Sequence, residues 1–212
     1  SLNIPSVKVL YLAGVDDTIN LAQQIGITTL EKNRKDFGLS LVLGGAEVKL
    51  LDMVSAYGVF ANDGLKQAPA FILRIEDIEG GILEEYKPKE ERVIEPQIAR
   101  MISNILSDNK TRMAVFGPNS SLYFPDRPVA AKTGTTQENR DAWVIGYTPS
   151  LSVGIWVGNN DNTSMTKQGA GISAAGPIWH EFMAKALKDI PVEDFLQPDP
   201  VESTKIMLNG EY

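Results

Sequence analysis

The chain contains no cysteine, which removes disulfide frameworks, thiol nucleophiles and thiolate metal sites together. It has a single histidine, His180. A Ser-His-Asp triad or a multi-histidine zinc centre needs that ring in a specific constellation, so His180 is read as a helix-surface residue. Basic residues are in deficit, with 20 Lys and Arg against 27 Asp and Glu and a formal net charge of −7. With no basic excess to displace counterions, composition argues against nucleic acid as a partner. No apolar run approaches the roughly 18 to 20 residues that span a bilayer, and Ser1 to Leu10 lack the basic-then-apolar order of a signal peptide. Any export signal or anchor would lie upstream.

What is present suffices for a substantial core. The 212 residues are 43% hydrophobic, enough for one domain or the larger part of one. Ile4, Val7, Leu10 and Tyr11 have helical spacing, with Pro5 near the first turn, where its missing N–H does no harm. Asp16 or Asp17 is a candidate cap for a second helix carrying Ile19, Ala22 and Ile25 and ending at Gly26. After Gly44-Gly45, the residues from Val48 to Phe60 are apolar around most of a helix circumference, which predicts a buried helix stopped by Asn62-Asp63-Gly64. Phe71 to Ile78 and Gly81 to Tyr86 flank Glu79-Gly80 and read as a hairpin. Ile98, Met101, Ile102, Ile105 and Leu106 mark one apolar face of a helix over Gln97 to Leu106.

From Pro128 the pattern changes to strand. Val129-Ala130-Ala131 leads into Lys132-Thr133-Gly134-Thr135, and Ala142 to Thr148 and Leu151 to Gly158 are joined by Pro149-Ser150, which predicts three adjacent antiparallel strands. Gly176 to Lys188 returns to helix, with Ile178, Phe182, Ala186 and Leu187 as inward candidates. Helices, then a sheet, then a helix predict an α+β fold, an antiparallel sheet flanked by helices with Lys132 to Thr135 on its edge strand. Residues 1–190 form the expected domain, and the Pro- and acid-rich residues 191–212 an expected tail or linker.

Lys132-Thr133-Gly134-Thr135, at the end of a predicted strand, matches the Lys-Thr-Gly element of penicillin-recognising serine acyltransferases. A lysine there supplies positive charge where a substrate carboxylate docks, the hydroxyls of Thr133 and Thr135 can bond that carboxylate, and Gly134 lets a substrate backbone approach the strand. Ser1-Leu2-Asn3 fits the Ser-x-Asn element of the same enzymes. A serine hydroxyl can relay a proton, and an asparagine amide can hold a peptide.

These motifs are joined in order by Gly44-Gly45 through Ala56-Tyr57 to Ala61-Asn62-Asp63-Gly64, by Asp141-Ala142-Trp143 with Gly146-Tyr147-Thr148-Pro149, and by Gly154-Ile155-Trp156-Val157-Gly158. From Ser1 to about Ala184 the chain resembles the C-terminal part of the transpeptidase domain of class A, bifunctional penicillin-binding proteins. The resemblance implies the penicillin-binding and serine β-lactamase fold with its N-terminal part missing. It also implies a D,D-transpeptidase that cross-links peptidoglycan stem peptides through a serine acyl-enzyme, is acylated by β-lactam antibiotics, and needs no metal or cofactor. By the same resemblance Ser1 relays protons and Asn3 holds the donor peptide. Lys132 supplies positive potential, Thr133, Gly134 and Thr135 bind the terminal carboxylate side, and the Thr135 N–H joins the oxyanion hole. The whole protein would sit on the extracytoplasmic face of the cell membrane, anchored by an N-terminal segment not in this chain.

The Ser-x-x-Lys nucleophile element of that family should precede Ser1, so an upstream segment of the same protein, a separate chain if the enzyme is nicked before Ser1, would supply it. Ser107-Asp108-Asn109-Lys110 and Ser164-Met165-Thr166-Lys167 fit its spacing, but the first closes a predicted helix and the second follows the last strand, so they are read as a helix-end turn and a connecting loop. Trp143, Trp156 and Trp179 are read as core rather than a sugar platform, and Glu84-Glu85 and Glu90-Glu91 as solvated surface. A serine β-lactamase, a β-lactam sensor and a non-catalytic scaffold are the competing functions.

Overall fold

The core begins from strand alternation. In the computed structural model, which describes residues 2–31, 34–165 and 171–200, three antiparallel strands pair in the order β5 (Ala130–Thr135), β6 (Asp141–Tyr147), β7 (Ser152–Gly158). Ala131, Ala142, Val144 and Val153 point to one face, where they pack with Leu122, Phe124, Trp179, Met183 and Leu187. Trp179 and Met183 belong to α6 (Gly171–Ala186), which covers that face. Ile145 and Tyr147 point to the other face, which is covered by α3 (Leu50–Ala61) and α4 (Pro96–Ser107). The order helix, sheet, helix is the α+β arrangement that the sequence predicts.

The remaining elements extend this layer. α1 (Asn3–Ala13) and α2 (Val15–Gln24) precede α3; β1 (Leu65–Gln67) pairs with β4 (Glu90–Arg92), and β2 (Arg74–Glu76) with β3 (Ile82–Glu85). α5 (Asn109–Phe116) follows α4. The β2–β3 ribbon is the predicted hairpin, turned at Glu79-Gly80 with Gly80 at φ 85°. Asp63 and Gly64 both have positive φ in the turn after α3, and the Asp63 carboxylate takes two hydrogen bonds from Arg100, at 2.8 and 2.7 Å, which fastens that turn to α4.

Several inward faces differ from the sequence expectation. In α6, which starts five residues earlier than Gly176, Ile178 and Phe182 are about half exposed while Trp179 and Met183 are sealed, because the helix presents its small residues and Trp179 to the sheet. In α4 the buried residues are Ala99 and Ser103, and Ile98, Met101 and Ile105 face outward. Small residues sit where α4 lies close to α3, so volume outranks hydrophobicity there. In α3 only Ala56 and Val59 are buried. α2 is capped by Gly14 at φ 86°, and Asp16 and Asp17 fall in its first turn, where their charge suits the helix dipole. His180 is half-buried, with Nδ1 donating to the Ser121 carbonyl at 2.9 Å and its ring stacked on Phe124.

Residues 191–200 have no regular structure, yet Phe195 is buried against Tyr147 with ring centroids 5.6 Å apart. Gln97 and Asp199 exchange two hydrogen bonds, at 2.7 and 2.8 Å. This segment is thereby strapped along α4.

Tyr57, Tyr147 and Phe195 form an edge-to-face chain, and burial pushes both tyrosine hydroxyls up to about 12. A raised folded value stabilises the fold fully below the unfolded value of about 10 and loses that contribution as pH rises through the folded one. Denaturant unfolding should therefore show stability falling between about pH 10 and about 12, with a smaller fall for Tyr57→Phe. A pH-independent stability across that interval would contradict the burial of these hydroxyls.

Candidate active site

β5 is the edge strand on the cleft side. β6 is its one partner among the described residues, so every second N–H and C=O of β5 points outward, available to an extended chain. The pleat that buries Ala131 under α6 sends Lys132 and Gly134 to the opposite face, the one that α3 and α4 cover. Lys132 is half-buried there, and its ammonium donates to the Thr133 carbonyl at 2.7 Å. Burial lowers its pKa from the usual lysine value, making its proton easier to give up.

Asn3, the first residue of α1, is exposed and lines the same open cleft as Lys132, Thr133, Gly134 and Thr135. The cleft holds about 1680 Å³, well beyond the roughly 300–1,000 Å³ of small-molecule sites. α1 is held there by buried Leu10 and by its packing on the 3-10 turn Leu39–Leu43 and on α2. Asn3 and the Lys132 to Thr135 run, far apart in the sequence, thus line one cleft. Ser1 lies outside the described residues.

Two glycines set the close approaches. A Cβ on Gly134 would lie 3.3 Å from that of Trp143, its cross-strand partner. A Cβ on Gly171 would lie 2.5 Å from the Gly134 carbonyl oxygen, so the first residue of α6 can approach β5 only without a side chain. That approach lets the Gly171 N–H donate to Thr135 Oγ1 at 2.9 Å. With its oxygen accepting from the helix, the Thr135 hydroxyl keeps its own proton to donate.

Other candidates separate clearly. Ser107 ends α4, and Asp108 caps α5 by accepting from the N–H groups of Lys110 and Thr111, so Ser107 to Lys110 is a helix-to-helix turn. Thr111 holds the Asp108 carboxyl below the usual range. Ser164 and Met165 lie in the loop after β7, and Thr166 and Lys167 lie outside the described residues. Trp179 is core, as expected, whereas Trp143 and Trp156 are half-buried cross-strand partners that line the cleft. Glu84, Glu85, Glu90 and Glu91 are exposed. Among the described residues no cluster of three His, Asp or Glu side chains could hold a metal ion.

One group has no counterpart in the sequence reading. Thr136, Asp141 and Trp156 are linked by side-chain hydrogen bonds at the cleft end of the sheet. The one available signal was a polar residue at the start of an otherwise apolar strand, which by itself predicts a strand end.

Residues 12–184 match the model of the penicillin-binding protein transpeptidase domain. The chain is 34% identical over 93% of its length to "Penicillin-binding protein 1A" of Aquifex aeolicus and 33% identical over 97% to that of Clostridium acetobutylicum, spanning 26% and 24% of those proteins. It therefore spans about a quarter of the curated relatives it matches. Among solved structures, Penicillin-Binding Protein 1A from Haemophilus influenzae is similar with a TM-score of 0.78 and 25% identity, over 93% of this chain and 35% of that one. The PonA1 protein from Mycobacterium tuberculosis in complex with penicillin V gives a TM-score of 0.73 and 30% identity, over 85% of this chain and 52% of that one.

Gly171→Ala should force α6 away from Gly134 and cost about 1–3 kcal/mol of stability, the usual scale of overpacking, read by chemical denaturation. A neutral outcome would show that the α6 start and β5 are not in contact.

Proposed function

The chain belongs to the penicillin-binding protein transpeptidase family, and from that premise we propose that it forms the substrate-holding side of a D,D-transpeptidase site. The observation that carries this reading is the convergence of Asn3 with Lys132 to Thr135 on one cleft, along the open edge of a strand.

In this reading the donor stem peptide lies extended against β5. Its terminal carboxylate meets the hydroxyls of Thr133 and Thr135 in the positive potential of Lys132, and Asn3 bonds its backbone. A serine from an upstream Ser-x-x-Lys segment attacks the carbonyl of the D-Ala-D-Ala peptide bond. The serine proton passes, by way of Ser1, to the departing D-Ala nitrogen, and the Thr135 N–H stabilises the oxyanion. An amine of a neighbouring strand then attacks the acyl-enzyme, forming the cross-link and returning the serine. A β-lactam enters as the donor and stays on the serine. The partly desolvated Lys132, with its lowered pKa, suits a site through which a proton moves.

Further features support an upstream contribution. Ile4, Tyr11 and Leu12 of the Asn3-bearing helix are exposed, an apolar surface suited to more chain. We take residues 1–190 as the transpeptidase part and the segment from 191 as a tail whose first ten residues strap it. No helix among the described residues is long and apolar enough to cross a membrane, so the extracytoplasmic anchor in this reading lies in another segment.

The full-length protein should be labelled covalently by a fluorescent penicillin and release D-Ala from a stem-peptide substrate. Lys132→Ala should slow acylation by about 100-fold or more, and the 212-residue chain alone should stay unlabelled. A full-length protein that fails to label refutes the transpeptidase reading, and rapid turnover of a chromogenic β-lactam replaces it with a β-lactamase.

A further inference from the structure

We propose that Asp141 is a positioning residue of this site: its carboxylate ties the end of β5 to β7 and thereby sets where Lys132 to Thr135 stand. The proposal rests on the transpeptidase reading for its chemical consequence, but its geometry stands apart from it.

Asp141 opens β6, and each of its two carboxylate oxygens has its own task. Oδ2 accepts from the Thr136 hydroxyl at 2.9 Å, and Oδ1 accepts from the Trp156 indole N–H at 2.8 Å. Thr136 answers on the backbone, with its hydroxyl oxygen accepting the Asp141 N–H at 2.8 Å and its own N–H donating to the Asp141 carbonyl at 3.1 Å. Thr136 directly follows Thr135, so this linkage grips β5 one residue beyond the substrate-binding run. A hairpin needs the Thr136 half alone. The Trp156 half reaches across β6 to the third strand, and Trp156 is the cross-strand partner of Trp143, against which Gly134 packs.

The grip is needed because β5 has one strand partner among the described residues, and the ends of edge strands fray unless tied. The loop that Asp141 closes is also strained. Glu138 and Asn139 both hold positive φ, 61° and 53°, conformations that persist only where surrounding contacts over-determine them. The loop is held outside by Arg140, which pairs with Glu138 and donates to the Asn162 carbonyl, and by the Met165 N–H, which donates to the Asn139 carbonyl. Thr136 and Asp141 hold it at its base. Without the carboxylate, the nearest relief of this strain is movement of the β5 end, which carries the Thr135 N–H and hydroxyl.

The test uses the full-length protein and a β-lactam whose binding and acylation steps are resolved kinetically. Asp141→Ala and Thr136→Val should each lower the acylation step by about 10- to 100-fold, the scale of ångström-size misplacement. The double variant should be no worse than either single one, since both break one linkage. Asp141→Asn, which can still accept from Trp156 and donate to Thr136, should recover most of the loss, and Trp156→Phe should fall between. In the same variants, amide exchange over residues 132–136 should quicken about tenfold while Val144 and Val153 keep their protection. Acylation of Asp141→Ala within twofold of wild type, or an Asn variant no better than Ala, overturns the proposal. If wild type itself does not acylate, the transpeptidase reading fails and amide exchange alone decides: unchanged exchange at 132–136 overturns the positioning role.

Discussion

The pleat of β5 is the constraint on which the rest depends. Because successive side chains alternate, Ala131 can be sealed beneath α6 while Lys132 emerges on the cleft side. A one-residue slip against β6 would bury a lysine and expose the core set. Register is therefore fixed by the packing that buries Trp179. A side-chain carbon on Gly146 would lie 2.4 Å from the Trp179 ring and 2.6 Å from the Ala130 carbonyl, so only Gly146 can sit opposite Ala131. The position of the lysine thus follows from an apolar contact on the reverse side of the sheet.

Position along the sheet is set differently. The β5 end is held by polar contacts: Gly171 donates to Thr135, and Thr136 is bonded to Asp141, which reaches Trp156. Apolar packing sets the register and face of β5, and hydrogen bonds set the height of its end. The proposed transpeptidase site, which would hold a carboxylate and an oxyanion together, needs both, since neither packing nor a single hydrogen bond fixes all three dimensions.

The strands and the motifs on them were legible from the sequence, because period-two alternation and the Pro149-Ser150 turn are local signals; the Thr148 N–H to Leu151 carbonyl bond closes that turn as expected. The existence of α1, α2, α3, α4 and α6 was legible too, whereas the short α5 and the β1–β4 pair were not. Which helix face turns inward was not, because α4 and α6 lie on their neighbours through Ala99, Ser103, Ala175 and Gly176, and a hydrophobicity stripe ranks such small residues low. The convergence of Asn3 with Lys132 was reached by family resemblance, since nothing local relates α1 to β5. The Asp141 linkage was not reached at all, because it joins residues of β6 and β7 to the residue that follows β5.

In the proposed function this chain holds substrate for a serine that lies outside these 212 residues. Peptide mapping by mass spectrometry of the penicillin-treated full-length protein tests it most directly. The account predicts a β-lactam adduct on one serine of a Ser-x-x-Lys element outside these 212 residues. An adduct on Ser107, on Ser164 or on any other serine within them would contradict it.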